Sequence, residues 1–228
     1  MRIIIVGAGI AGLSTYLHLR KYLPNTTLIT IYESHHPRQT ISSSPAPQTL
    51  TTLSESTAIV GGGLGISPNG MRVLRDLNIE LRNATAAQGF PVEQFVFRGA
   101  NGWVLGSSRT GDKSVKVADA KQDSSEETEE DEEFCVASSR HGLRETLLRF
   151  VLADGGKVIY AKILGVEKET PDGKPCVRFT NASGEEEVDS ADLVIGADGV
   201  KSVVRRALFG DDKKAQPTYT YVTHMIVE

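Results

Sequence analysis

Arg2-Ile3-Ile4-Ile5-Val6-Gly7-Ala8-Gly9-Ile10-Ala11-Gly12 follows directly on the first methionine of the chain. Ile3 to Val6 is an all-apolar run of the kind that forms a short strand buried on both faces. The glycines after it have separate mechanical uses. Gly7 allows a tight turn out of the strand, Gly9 lets a pyrophosphate approach the backbone, and Gly12 lets the next helix pack closely. That helix carries Leu13, Leu17 and Leu19 on its inward side and is closed by Pro24-Asn25. Its first turn offers free N–H groups and a partial positive charge to phosphate oxygens. Thr27 to Tyr32 reads as a second strand, and Glu33 stands at its tip, 21 residues after Gly12. A carboxylate there accepts both hydroxyls of an adenosine ribose. Strand, helix, strand and terminal acid in this order predict a dinucleotide-binding unit, without separating FAD from NAD(P).

Composition narrows the class. With 228 residues, 39% hydrophobic and 24% charged, the chain can bury a core and is not globally disordered. Its net charge of −4 is a local matter, because eight acids fall in the base-free stretch Gln122 to Glu133. No Lys/Arg-rich run stands out, which argues against a nucleic-acid partner. Two cysteines, Cys135 and Cys176, are too few for a disulfide framework or a structural zinc site. Gly7 interrupts the first apolar run far short of a signal-peptide core, and no other run reaches membrane length. The expectation is a cytoplasmic protein with no membrane segment.

Further along, residues 34 to 57 are Ser-, Thr- and Pro-rich and read as a surface loop. Gly61 to Ile66 reads as a glycine-dense turn, and Pro68-Asn69-Gly70 leads into a helix with Met71, Val73, Leu74 and Leu77 as its apolar set. Phe95-Val96-Phe97 and Trp103-Val104-Leu105, split by Gly99 to Gly102, predict a β-hairpin. The acidic run is a loop, and structure resumes at Phe134. Arg140 to Leu152 has helical spacing with Leu143, Leu147, Leu148 and Val151 on one face, stopped by Asp154-Gly155-Gly156. Strands are expected over 157–168 and 176–180, joined by Pro171-Asp172-Gly173, and again at Ala191 to Ile195. A helix from Val203 to Leu208 and a strand over Thr218 to Glu228 complete the pattern.

Ala191-Asp192-Leu193-Val194-Ile195-Gly196-Ala197-Asp198-Gly199, continuing to Arg206, resembles the Asp-Gly signature of FAD-dependent monooxygenases of the aromatic-hydroxylase type. Gly61 to Asn69 with its following helix resembles that family's glycine-rich turn and Pro-Asn helix. Arg140-His141-Gly142-Leu143, with Leu147 one turn on, resembles its Arg-x-x-Leu helix. The resemblance implies an α/β fold, with a Rossmann-like FAD-binding domain (1–90 and 134–212) and a partial antiparallel β-sheet substrate domain (91–133 and 213–228). It implies that Gly7, Gly9 and Gly12 hold the FAD pyrophosphate and Glu33 the ribose. Gly61 and Gly63 would approach the flavin side, and Arg140 would contact FAD. Asp198 and Gly199 would support the cofactor and a passing NAD(P)H, with Arg205 a further candidate.

By the same resemblance the activity is hydroxylation or epoxidation of a small organic substrate with NAD(P)H and O2. The family pattern continues past this sequence, with more strands over the substrate and a second segment that holds the flavin end of FAD. The expectation is therefore adenosine-side binding with a solvent-open flavin ring. No acid or base residue is singled out as catalytic. His35-His36 has no third ligand at metal spacing, so no metal is expected. Gly61 to Gly63 also suits an ordinary turn, and Arg140 a solvated helix start. A flavin-dependent reductase or halogenase, a non-catalytic FAD-binding fragment and a nicotinamide-dependent dehydrogenase stay open as alternatives. The last of these gives no role to residues 191–206.

Overall fold

A computed structural model describes residues 1–35, 62–109, 133–167, 173–181 and 183–210. The loop expected beyond His35, Gly61, the acidic run up to Glu132, Pro171-Asp172 and the strand over 218–228 lie outside the described residues. The helices are α1 (Ile10–Tyr22), α2 (Pro68–Leu77), α3 (Ile79–Ala87), α4 (Arg140–Ala153) and α5 (Val203–Phe209). The strands are β1 (Arg2–Val6), β2 (Leu28–Glu33), β3 (Gly63–Ile66), β4 (Phe90–Val92), β5 (Gln94–Arg98), β6 (Val104–Arg109), β7 (Cys135–Ser139), β8 (Lys157–Tyr160), β9 (Lys162–Glu167), β10 (Cys176–Thr180), β11 (Glu186–Ser190) and β12 (Leu193–Gly196).

The chain divides into two compact units. The first comprises Met1–Gly12, Leu23–Pro37 and Gly156–Glu228, and the second Leu13–Tyr22 and Arg38–Gly155. These changeovers do not coincide with the 90/91 and 133/134 boundaries, so the division into cofactor and substrate domains is kept as a functional proposal.

In the first unit a four-stranded parallel sheet runs in the order β12-β1-β2-β8. Ile3, Ile4 and Ile5 of β1 have no exposed surface, as a central parallel strand covered on both faces requires. A three-stranded antiparallel sheet, β11-β10-β9, belongs to the same unit. Ile4, Val6, Tyr32, Ala161, Ile163, Val177, Phe179, Ala191 and Val204 make one hydrophobic cluster, in which the Tyr32 and Phe179 rings stand 5.0 Å apart.

In the second unit β3-β7-β4 is antiparallel, and β5 and β6 form the expected hairpin. Met71 and Leu74 of α2 are buried, as are Leu143, Leu147, Leu148 and Val151 of α4. α4 stops at Asp154, followed by Gly155 at φ +80°.

Four sequence expectations change. The expected glycine-dense turn at Gly61 to Ile66 contains a strand: Gly63–Ile66 pairs with β7, whose backbone satisfies donors and acceptors that local propensity would leave to water. Val73, expected inside α2, is 46% exposed. The single strand expected over 157–168 is two strands of different sheets, broken at buried Ala161, whose N–H donates to the Glu33 carbonyl. Glu133, expected at the end of the acidic loop, is buried instead: its side chain is 2% exposed and accepts from Arg82 Nη2 at 2.7 Å, with Arg75 at 3.6 Å.

Candidate functional site

β1 and β12 are parallel neighbours, with Val6 opposite Gly196, so the loops leaving their C-terminal ends emerge side by side. That edge of an open α/β sheet is where ligands bind. The Ala197 N–H donates to the Val6 carbonyl at 2.8 Å, and the Gly7 N–H to the Tyr32 carbonyl at 2.7 Å, which extends the ladder into both loops. Gly7 has φ +106°, and a β-carbon there would lie 2.4 Å from the Ala197 oxygen. A β-carbon on Gly12 would lie 1.9 Å from the Gly7 oxygen. At Gly9 the equivalent space is open, with no atom within 4 Å. The turn is therefore closed on its protein side at Gly7 and Gly12 and open at Gly9, which is the cradle a pyrophosphate needs.

Glu33 lies beside this cradle with its side chain 13% exposed. One carboxylate oxygen accepts from the Ala8 N–H at 2.8 Å and the other from the His35 N–H at 2.9 Å. The structure thus brings Gly7, Gly9, Gly12 and Glu33 together as the sequence predicts.

Asp198 bonds to its own loop and the helix that follows it. Its Oδ1 accepts from Ser202 Oγ at 2.6 Å, and its Oδ2 from the N–H groups of Val203 at 2.6 Å and Val204 at 3.3 Å. Both oxygens cap the start of α5, where a carboxylate also suits the helix dipole. Ser202 Oγ in turn accepts from the Arg205 N–H at 2.9 Å, and the Arg205 guanidinium donates to the Val200 carbonyl. Asp198 thus ties the 198–202 loop to the start of α5. Gly199 follows with φ +73° and open space around it.

Sequence reasoning assigned no separate role to Ala8, Gly196, Ala197 or Ser202. A β-carbon on Gly196 would meet Val204 at 2.7 Å, so this glycine lets α5 sit against β12. The signal was present in Gly196-Ala197-Asp198-Gly199-x-x-Ser202, whose serine stands at N-cap spacing before an apolar helix.

In the second unit Gly63 and Arg140 come close through neighbouring residues: Gly63 pairs with Ser139, and the Arg140 N–H donates to the Gly62 carbonyl at 3.1 Å. Ser139 caps α4 by accepting from the Gly142 N–H at 2.9 Å. The Arg140 side chain is exposed and has no ion-pair partner among the described residues. A cation at that helix pole is unfavourable until an anion joins it.

Other chemistries find little support. Burial raises both thiols, Cys135 and Cys176, so neither is a ready nucleophile. Among the described residues no cluster of three or more His, Cys, Asp or Glu is placed to hold a metal. No described helix is long and apolar enough to cross a membrane.

A parallel sheet with a glycine cradle and a terminal acid defines a dinucleotide-binding α/β protein. Residues 1–226 match the family described as FAD binding domain, and the chain belongs to that family. It is 29% identical over 212 residues to 3-amino-4-hydroxybenzoate 2-monooxygenase of Streptomyces cremeus, covering 92% of this chain and 43% of the relative. It is 25% identical over 214 residues to hispidin-3-hydroxylase of Neonothopanus nambi, covering 93% of this chain and 40% of that protein. The fold is similar to that of p-nitrophenol 4-monooxygenase from Pseudomonas putida, with a TM-score of 0.64, 16% identity, and coverage of 91% of this chain and 43% of that one. The chain thus spans less than half the length of these relatives.

Proposed function

We propose that this chain is the FAD-binding part of a monooxygenase that uses NAD(P)H and O2 to hydroxylate or epoxidise a small organic substrate. The observation that carries the proposal is the cradle: Gly7 and Gly12 are closed against backbone, Gly9 is open, and Glu33 is fixed beside them. Gly7, Gly9 and Gly12 would hold the pyrophosphate through backbone N–H groups, and Glu33 would accept the ribose hydroxyls. Asp198 and Gly199 would set the position of the adjoining loop. Gly61, Gly63 and Arg140 would contact FAD as well, Arg140 gaining the anion that its helix pole lacks. The bound cofactor supplies the redox chemistry, and the protein binds and orients it.

The names of the curated relatives support a phenolic substrate such as a hydroxybenzoate. Residues 91–133 and 213–228 belong to the substrate side in this proposal, and a cytoplasmic location goes with it. NAD(P)H consumption by the FAD-loaded protein, followed in air and under anaerobic conditions with hydroxybenzoates present, tests the activity. Consumption that depends on O2 and yields hydroxylated product is expected. Equal turnover without O2 would make the protein a reductase instead.

A further inference from the structure

Tyr32 and Glu33 are consecutive residues of β2, and they hold consecutive N–H groups of the glycine turn. The Tyr32 carbonyl accepts from the Gly7 N–H at 2.7 Å, and the Glu33 carboxylate accepts from the Ala8 N–H at 2.8 Å. Successive side chains of a strand point to opposite faces, so the Tyr32 ring leaves β2 on the face away from the carboxylate. There it is 2% exposed, packs in the hydrophobic cluster with Val177 and Phe179 of β10, and stands 5.0 Å from the Phe179 ring. Its hydroxyl donates to Asp189 Oδ2 at 2.7 Å. Arg2 Nη2 holds the same carboxylate, at 2.6 Å from Oδ1 and 2.7 Å from Oδ2.

A phenylalanine would fill this core position without a buried hydroxyl to satisfy. The hydroxyl adds an anchor outside the parallel sheet, because Asp189 belongs to β11 of the antiparallel sheet in the same unit. Ladder bonds to β1 and β8 set the spacing of β2 from its neighbours, whereas the twist of a strand varies widely at a given pairing. A rotation of residue 32 about the strand axis carries residue 33 with it. Glu33 ends the strand, where the ladder restrains such a rotation least. We propose that Tyr32 is a positioning residue for the cofactor carboxylate: its hydroxyl, anchored on Asp189, fixes the twist of β2 and so the aim of Glu33. This rests on the FAD-binding proposal and extends the site to the far face of the sheet.

The test is FAD titration by flavin fluorescence, with a melting temperature for each protein. It compares the natural protein, Tyr32→Phe, Asp189→Asn, Glu33→Ala and the double variant Tyr32→Phe/Glu33→Ala. Tyr32→Phe keeps the ring in the core and removes only the anchor. It should weaken FAD binding about five-fold, the size of one net hydrogen bond. In the Glu33→Ala background the same change should have no further effect on affinity, because Tyr32 acts through that carboxylate. Asp189→Asn keeps an oxygen that accepts the hydroxyl proton and should bind FAD as the natural protein does. A lower melting temperature for Tyr32→Phe with unchanged FAD affinity is the mark of a merely structural role and would overturn the proposal. Equal weakening in both backgrounds, or Asp189→Asn weakened as much as Tyr32→Phe, would overturn it as well. Glu33→Ala binding FAD as tightly as the natural protein would instead overturn the ribose role of Glu33 on which the proposal rests.

Discussion

A β-carbon added at Gly12 overlaps the Gly7 carbonyl, whereas one added at Gly9 meets nothing. The two substitutions to alanine should therefore fail in different ways. Gly12→Ala forces backbone to move and should cost about 3 kcal/mol or more of stability. Gly9→Ala should melt within about 0.5 kcal/mol of the natural protein, yet lose FAD affinity because its methyl group occupies the pyrophosphate side. Thermal melts run beside FAD titrations separate the two outcomes. These glycines and Glu33 were legible in the sequence because each obeys a local rule of turn geometry or strand-end position. Ala8 and Ala197 were not, because their roles depend on partners that only the folded sheet brings near.

Tyr16 extends the residue scale to pH. Burial, with the Asp154 carboxylate accepting its hydroxyl proton at 3.0 Å, pushes its phenol up to about 12. The folded value lies above the ordinary 10.0, so this stabilisation is complete below pH 10 and is lost as pH rises toward 12. Burial and the Asp189 contact push Tyr32 in the same direction. Denaturant midpoints should therefore fall over that window, and Tyr16→Phe should flatten the fall without abolishing it.

Among the elements, the most legible were those whose pattern is local, such as α4, with four apolar residues on one face and a glycine stop. β11 was missed because Glu186-Glu187-Val188-Asp189-Ser190 is polar and leaves Val188 62% exposed, and only its pairing with β10 makes it a strand. α3 was missed although Asn78 caps it by accepting from the Glu80 and Leu81 N–H groups. That cap follows directly on the last residue of α2, with no loop between them to mark the start of a second helix. Glu133 was misread because it ends a run of acids, yet it is buried, with Arg82 stacked on Phe134 at 5.2 Å beside it. Removing one partner of such a pair leaves an uncompensated charge, which costs about 3–5 kcal/mol. Glu133→Ala should lose about that much in chemical denaturation. Deleting 122–132 should change neither stability nor FAD affinity by a comparable amount, because a longer polar loop adds only about 0.6 kcal/mol of closure cost per doubling.

Family membership extends over nearly the whole chain, while the chain spans 43% of a curated relative. On the proposed function, the adenosine end of the dinucleotide lies at the Gly7–Gly12 turn and Glu33 of the first unit. Titration of FAD into the natural protein and into Glu33→Ala, with ADP and FMN as competitors, tests it most directly. Saturable FAD binding is expected, which ADP displaces and FMN does not, weakened about ten-fold or more by loss of the carboxylate. FAD binding that FMN displaces and Glu33→Ala leaves unchanged, or no binding by the folded protein, would contradict it.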